Sequence, residues 1–280
     1  MRLLVTGAVG MLGRDVVELA RGAGHDVAGF SRAELDVVDA AAVVRAVADV
    51  RPDGVVNCAA FTDVDAAEER SEEAVAVNGA GAGHVAAAAD AVGATVVHVS
   101  TDYVFDGTKP APYVESDEPN PRSAYGRSKL EGERAVAAAN PRHAIVRSSW
   151  LFGVGGRNFV ETILARGAEQ SEVSVVTDQV GCPTFTGHLA GALVALAERR
   201  ATGVLHVAGA GHCSWHDFAV EIFREARVDC DVHPTDTASI GRPAPRPANS
   251  VLLSERPDAP RLPSWRDGLA EYLAARGVAA

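Results

Sequence analysis

Lysine is nearly absent from this 280-residue chain: of its 26 Lys+Arg, only Lys109 and Lys129 are lysine. Cysteine is sparse as well. Cys58, Cys182, Cys213 and Cys230 form no C-x-x-C pair, and in a chain this long they do not read as a disulfide framework. Reduced thiols and a cytoplasmic setting are the expectation. No run of about 18 residues is purely apolar; the stretch "HVAAAADAVGATVVHVS" is broken by Asp90. The opening "MRLLVTG" is too short an apolar run for a signal peptide, so no membrane is expected. Positive charge is in deficit, with 26 Lys+Arg against 37 Asp+Glu and a formal net charge of −11. That argues against a nucleic-acid polymer or an anionic membrane as partner. A small anionic ligand is still allowed, because it needs only a local cluster of donors.

The chain does have enough apolar residues, 47 %, to bury a sizeable core. Short β-prone runs alternate with segments of helical spacing. Strands are expected at Arg2–Thr6, Asp26–Phe30, Asp53–Ala60, Ala94–Thr101 and His143–Ser149. Helices are expected at Met11–Ala20, Ala40–Asp49, Ser71–Val92 and Ser123–Ala139. Such alternation, with strands that read as near-continuous apolar runs, signals a parallel sheet covered by helices on both faces. Beyond Trp150 the pattern loosens. Helices are expected near Asn158–Ala168, His188–Arg199, Trp215–Ala226 and Trp265–Ala275, and strands near Val173–Thr177 and Val204–Ala208. The Pro-rich segment Gly241–Ser250 reads as an ordered loop packed on the domain rather than a linker.

Gly7, Gly10 and Gly13 follow the first strand and open the first helix. Gly7 suits a tight turn, Gly10 a close backbone approach to a pyrophosphate, and Gly13 close helix–strand packing. The helix N-terminus would offer free N–H groups to phosphates. A ligand-free glycine turn is the bland alternative, and its place between strand and helix favours a dinucleotide site. The second strand ends in "FSRAELD". Ser31 and Arg32 suit a 2′-phosphate, which favours NADPH over NADH. Asp36, the acidic residue expected for NADH, comes later.

Tyr125 and Lys129 lie four apart in a helical stretch and so share a face. A nearby ammonium would lower the phenol's pKa and fit it for proton transfer to a carbonyl. Thr101 ends the fourth strand, where ligands sit in open α/β sheets, and its hydroxyl could hold the same oxygen. His212 and His216, which flank Cys213 and Trp215, lack a third ligand at convincing spacing, so no metal is expected. Glu68–Glu73 reads as a solvated charged face. Arg242 and Arg246 suit either a diphosphate clamp or an ordinary surface loop.

Together these features resemble the extended short-chain dehydrogenase/reductase superfamily. Seven segments, in order, narrow the resemblance to its dTDP-4-dehydrorhamnose reductase family: "LVTGAVGMLG", "RPDGVVNCAAFTDVDAAE", "VSTDYVFDG", "AYGRSKLEGE", "IVRSSWLFG", "TDQVGCPT" and "RPANSVL". The resemblance implies a Rossmann-type doubly wound sheet with a smaller, interleaved C-terminal substrate domain. Residues 1–150 would bind the dinucleotide, with the chain returning to that domain around 178–208, and residues 151–280 would mainly bind substrate. It also implies a cofactor site of Gly7, Gly10, Met11, Leu12, Asp36, Ala59, Ala60 and Thr62. Thr101, Tyr125 and Lys129 would be the catalytic set, with Tyr125 and Lys129 also on the cofactor. Val64, Thr101, Asp102 and Trp150 would face the substrate. Dehydratases of the superfamily carry an acid after the position of Asp102; Tyr103 stands there and favours plain carbonyl reduction. The implied activity is NADPH-dependent reduction of the 4-keto group of dTDP-4-dehydro-L-rhamnose by a monomer or homodimer. The alternatives are a reductase of another dTDP-4-keto sugar, as in dihydrostreptose formation, or an idle dinucleotide-binding regulatory subunit.

Overall fold

The structure, a computed structural model, describes residues 1–277; the last three positions of the expected 151–280 region lie outside the described residues. Six parallel strands form the central sheet, in the order Gly203–His206, His143–Ser148, Thr95–Thr101, Gly54–Asn57, Arg2–Thr6 and Asp26–Phe30. The first strand shows why the sheet is covered on both sides. Its side chains alternate, so Leu3 and Val5 enter one core and Leu4 the other. On one face the helices Met11–Gly22 and Thr186–Glu198 supply Leu12, Val16, Leu189 and Leu193. On the other, Ala40–Val50, Ala82–Ala91 and Ala124–Ala139 supply Val43, Val47, Val85 and Val136.

Strand order reverses beside Arg2–Thr6, whose neighbours are the second and third strands in sequence. In open sheets of this kind ligands bind outside the carboxyl ends of strands at that point. Here Thr6, Asn57 and His98 link three adjacent strands through buried side chains. Thr6 Oγ1 donates to Asn57 Oδ1 at 2.6 Å, and Asn57 Nδ2 lies 3.0 Å from His98 Nδ1. Burial holds the His98 imidazole well below its ordinary pKa, so it is neutral at physiological pH.

Most expected elements form within a few residues of their expected bounds. The continuous helix over Ser71–Val92 does not. The chain forms helix at Ser71–Val75, a π-helical turn at Ala76–Gly81, then helix again at Ala82–Ala91. The wide turn places Asn78 so that it grips the backbone of Phe61 at both groups. Asn78 Oδ1 accepts from Phe61 N at 2.8 Å, and Nδ2 donates to Phe61 O at 3.0 Å. The next layer has adapted to it, because a Cβ on Gly132 would sit 2.0 Å from Asn78 O.

Beyond Trp150 a third core gathers Phe152, Ile163, Phe218, Ile222, Trp265 and Tyr272. Glu172–Val176 pairs in parallel with Asp231–Thr235, a strand that sequence patterning missed. The Pro-rich loop is ordered, as expected: Val180 N donates to Ala248 O, and Ser250 N to Val180 O, both at 2.8 Å.

Candidate active site

A cleft of about 760 Å³ runs along the carboxyl ends of the central strands. The glycine loop forms one end. Gly7 has φ +65°, and a Cβ there would lie 2.9 Å from the backbone of Cys58 and Ala59. A Cβ on Gly13 would lie 2.2 Å from Gly7 O. Neither position admits a side chain without moving backbone. Helix Met11–Gly22 starts at Gly10 with no side-chain cap, so its first N–H groups remain for a ligand. The bare backbone cradle and open helix terminus fit a pyrophosphate.

Along the cleft lie Gly7, Gly10, Met11, Leu12, Arg32, Asp36, Ala59, Ala60 and Thr62, together with Val64, Thr101, Asp102, Tyr125, Lys129 and Trp150. One expected cofactor residue does not join them. Ser31 is turned to Glu34, whose Oε2 accepts from its backbone N at 2.8 Å and its hydroxyl at 2.7 Å. The local turn satisfies that hydroxyl. Arg32 does line the cleft but is largely exposed, 3.7 Å from Asp36 and 3.8 Å from Glu73. The basic and acidic cofactor signals therefore meet at one corner.

Ser123 caps helix Ala124–Ala139 by accepting from Gly126 N. That start places Tyr125, Lys129 and Glu133 at successive i, i+4 positions. Lys129 is 2 % exposed, and its Nζ donates to Val99 O at 2.7 Å. Burial pushes its ammonium down to about 8, with Glu133 and Cys58 pulling the other way. Behind it Glu133 and Arg147 form a buried two-pronged ion pair at 2.9 and 2.7 Å, and Ser100 Oγ donates to the same carboxylate at 2.5 Å.

Tyr125 departs from expectation. Its phenol is pushed up to about 12 by burial, which the neighbouring Thr101 hydroxyl only partly offsets. Desolvation dominates where tuning by Lys129 was expected. A phenol so placed stays protonated through neutral pH, as a proton donor must. Thr101 Oγ1 donates to Asp102 Oδ1 at 3.0 Å. Asp102 is buried, its Oδ2 has no partner among the described residues, and burial raises its carboxyl to about 7.

Trp150 holds a left-handed backbone, φ +49°, at a cost of about 1–3 kcal/mol. Two neighbours sustain it. Its ring stacks on Trp215 with centroids 3.5 Å apart and planes within 3°. Gly181 leaves it room, since a Cβ there would lie 2.4 Å from the indole. Trp215, Ser148, Ser149 and Arg157 also line the cleft and were not singled out in the sequence. Trp215 had one signal: it is one of only three tryptophans, set straight after a helix-capping serine.

A second cavity of about 470 Å³ shares Thr62, Val64, Tyr103, Arg157 and Trp215 with the first. Arg166, Arg242 and Arg246 line its remainder. The Pro-rich loop thus belongs to a wall of this cavity. Its Arg246 makes a two-pronged pair with Asp65 at 3.0 and 2.9 Å, joined by Arg242 at 3.4 Å.

A doubly wound parallel sheet, a glycine cradle at its switch point and a Thr–Tyr–Lys set beside it define a dinucleotide-dependent oxidoreductase of the short-chain dehydrogenase/reductase type. Residues 1–277 match the family model described as RmlD substrate binding domain, and the chain belongs to that family. It is 45 % identical to a dTDP-4-dehydrorhamnose reductase of Streptomyces griseus, over 96 % of this chain and 92 % of that protein. It is 44 % identical to a probable dTDP-4,6-dihydroxy-2-methyloxan-3-one 4-ketoreductase of Streptomyces antibioticus, over 97 % and 94 %. A crystal structure of dTDP-4-dehydrorhamnose reductase from Bacillus anthracis in complex with NADP superposes with a TM-score of 0.95. It is 38 % identical, over 98 % of this chain and 99 % of that one.

Proposed function

We propose that this enzyme uses NADPH to reduce the 4-keto group of dTDP-4-dehydro-L-rhamnose to dTDP-L-rhamnose. The observation that carries this reading is two adjoining cavities with a shared wall. The cleft that holds the glycine cradle and the Thr101–Tyr125–Lys129 set shares Thr62, Val64, Tyr103, Arg157 and Trp215 with an arginine-lined second cavity.

A nicotinamide cofactor held in the cleft would supply the hydride. The protein's own residues manage the oxygen. Thr101 and Tyr125 hydroxyls converge on the substrate carbonyl oxygen, and Tyr125 gives it a proton as the carbon is reduced. Lys129 holds the nicotinamide ribose and replenishes positive potential beside the phenolate that results. Gly7, Gly10, Met11 and Leu12 take the pyrophosphate. Arg32 takes the 2′-phosphate, with Asp36 and Glu73 beside it. Ala59, Ala60 and Thr62 line the cofactor, and Val64, Asp102 and Trp150 line the sugar. Arg242 and Arg246 face the diphosphate of the nucleotide sugar. Residues 1–150, with the return strand Gly203–His206, form the dinucleotide-binding part. Four free thiols fit a cytoplasmic enzyme.

A related reductase acting on another dTDP-4-keto sugar is the second reading, supported by the similarity to the Streptomyces antibioticus protein. An idle regulatory subunit fits poorly with a complete Thr–Tyr–Lys set whose threonine and lysine are buried. The test is loss of NADPH absorbance with dTDP-4-keto-6-deoxyhexoses of different configuration, each paired with its UDP counterpart. Turnover should be fastest with the L-lyxo sugar on dTDP. No turnover with any of them would overturn the reading.

A further inference from the structure

Asp65 occupies an unusual place. It is a carboxylate set among the cations of a cavity proposed to take a diphosphate. Its Oδ1 accepts from Arg246 Nη1 at 3.0 Å and from Ala244 N at 3.2 Å. Its Oδ2 accepts from Arg246 Nη2 at 2.9 Å and from Arg242 Nη1 at 3.4 Å. Arg246 Nη1 also donates to Ala244 O at 2.9 Å. Both terminal nitrogens of the more buried arginine are thus already engaged by this chain's own groups. Asp65 sits one residue after Val64, which lines both cavities. The Pro-rich loop Gly241–Ser250 is fastened at that point to the segment that follows the third strand.

We propose that Asp65 is an internal competitor for the diphosphate: it neutralises the Arg242–Arg246 pair and so sets how loosely the nucleotide is held. The argument rests on the nucleotide-sugar reading above and on the geometry of this cluster. A diphosphate approaching Arg246 must share the guanidinium with a fixed like charge or displace it. Either way the carboxylate subtracts from the binding free energy. The same anchor keeps the two arginines aimed at one point, so the loop needs no ordering when the ligand arrives. The result is a site that is pre-formed yet releases its product.

The distinction from a simple strut is one of sign. A strut that only orients the arginines would weaken nucleotide binding when removed. A competitor would strengthen it. Asp65→Asn keeps the shape and one acceptor but removes the charge. Titration calorimetry of the full-length wild type and of Asp65→Asn with dTDP should show Kd falling on the order of tenfold. The gain should shrink as salt rises. With dTMP, which lacks the second phosphate, the gain should be much smaller. Asp65→Ala gives the same sign and serves if Asp65→Asn does not fold. Unchanged or weaker dTDP binding in the variants, with wild type binding normally, would overturn the proposal alone. An equal gain for dTMP would also overturn it. A wild-type protein that binds no dTDP would overturn the nucleotide-sugar reading and this proposal with it.

Discussion

Replacing Lys129 by arginine keeps a cation in the chain and should nevertheless stop turnover. Lys129 is 2 % exposed and its Nζ sits 2.7 Å from Val99 O. A compact ammonium fits that slot. A planar fork does not, and its charge is spread over three nitrogens. Overpacking a buried site costs about 1–3 kcal/mol by itself. Loss of the point contact at the reacting centre adds to this, so turnover should fall about 10²–10⁴-fold, equivalent to about 3–5 kcal/mol. Lys109 provides the control. It is one-third exposed, and its Nζ pairs with Asp117 at 2.5 Å. Arginine keeps such a pair, and substitutions there should stay within about 0.5 kcal/mol. Lys129→Met supplies a companion that removes the charge without adding bulk. The assay is steady-state NADPH oxidation beside thermal unfolding. Both Lys129 variants should lose turnover while retaining a cooperative transition, and Lys109→Arg should match wild type. Wild-type turnover in Lys129→Arg, with unchanged unfolding, would refute the role of Lys129.

Tyr125→Phe should cost about 10²–10⁴ in turnover and leave NADPH affinity, read by fluorescence titration, nearly intact. Arg32→Ala should weaken NADPH about fivefold and NADH hardly at all, a modest effect because Arg32 is solvent-screened; equal losses would show that it does not read the phosphate. The rate profile should fall above about pH 8, as the Lys129 ammonium loses its proton. Its folded pKa lies below the ordinary 10.5, so burying Lys129 disfavours folding most below pH 8. That cost fades as pH rises toward 10.5. Activity should therefore drop between pH 8 and 9 with no loss of stability from this group; a flat rate profile across that range would contradict the assignment.

The parts of the site legible in the sequence are those whose geometry is local. Gly7 to Gly13 span one turn and one helix start, and Tyr125 to Lys129 span one helical turn, so spacing alone fixes their relative placement. Helix starts were legible for the same reason: Asp39, Ser123, Asn158, Ser214 and Ser264 each cap the helix that follows with their own side chain. What escaped depends on distant partners. Nothing in "AVAVNGAG" announces that Asn78 will leave the helical register to hold Phe61, 17 residues away. The stack of Trp150 on Trp215 needs Gly181 beneath it, and no pattern within one segment carries that. Ser31 is turned from the cleft by a local partner instead. A partner three residues away, Glu34, took the hydroxyl before any cofactor could. The phenol of Tyr125 was read from its neighbour in sequence, and its pKa is governed chiefly by desolvation.

The most direct test of the account follows the hydride. NADPH carrying deuterium at the transferable C4 position is incubated with dTDP-4-dehydro-L-rhamnose and the enzyme, and the sugar product is read by NMR. The expected product is dTDP-L-rhamnose with deuterium at C4 of the sugar alone, formed about 10²–10⁴ times more slowly by Tyr125→Phe. Deuterium at any other carbon, or oxidation of the cofactor without a labelled sugar, would contradict it.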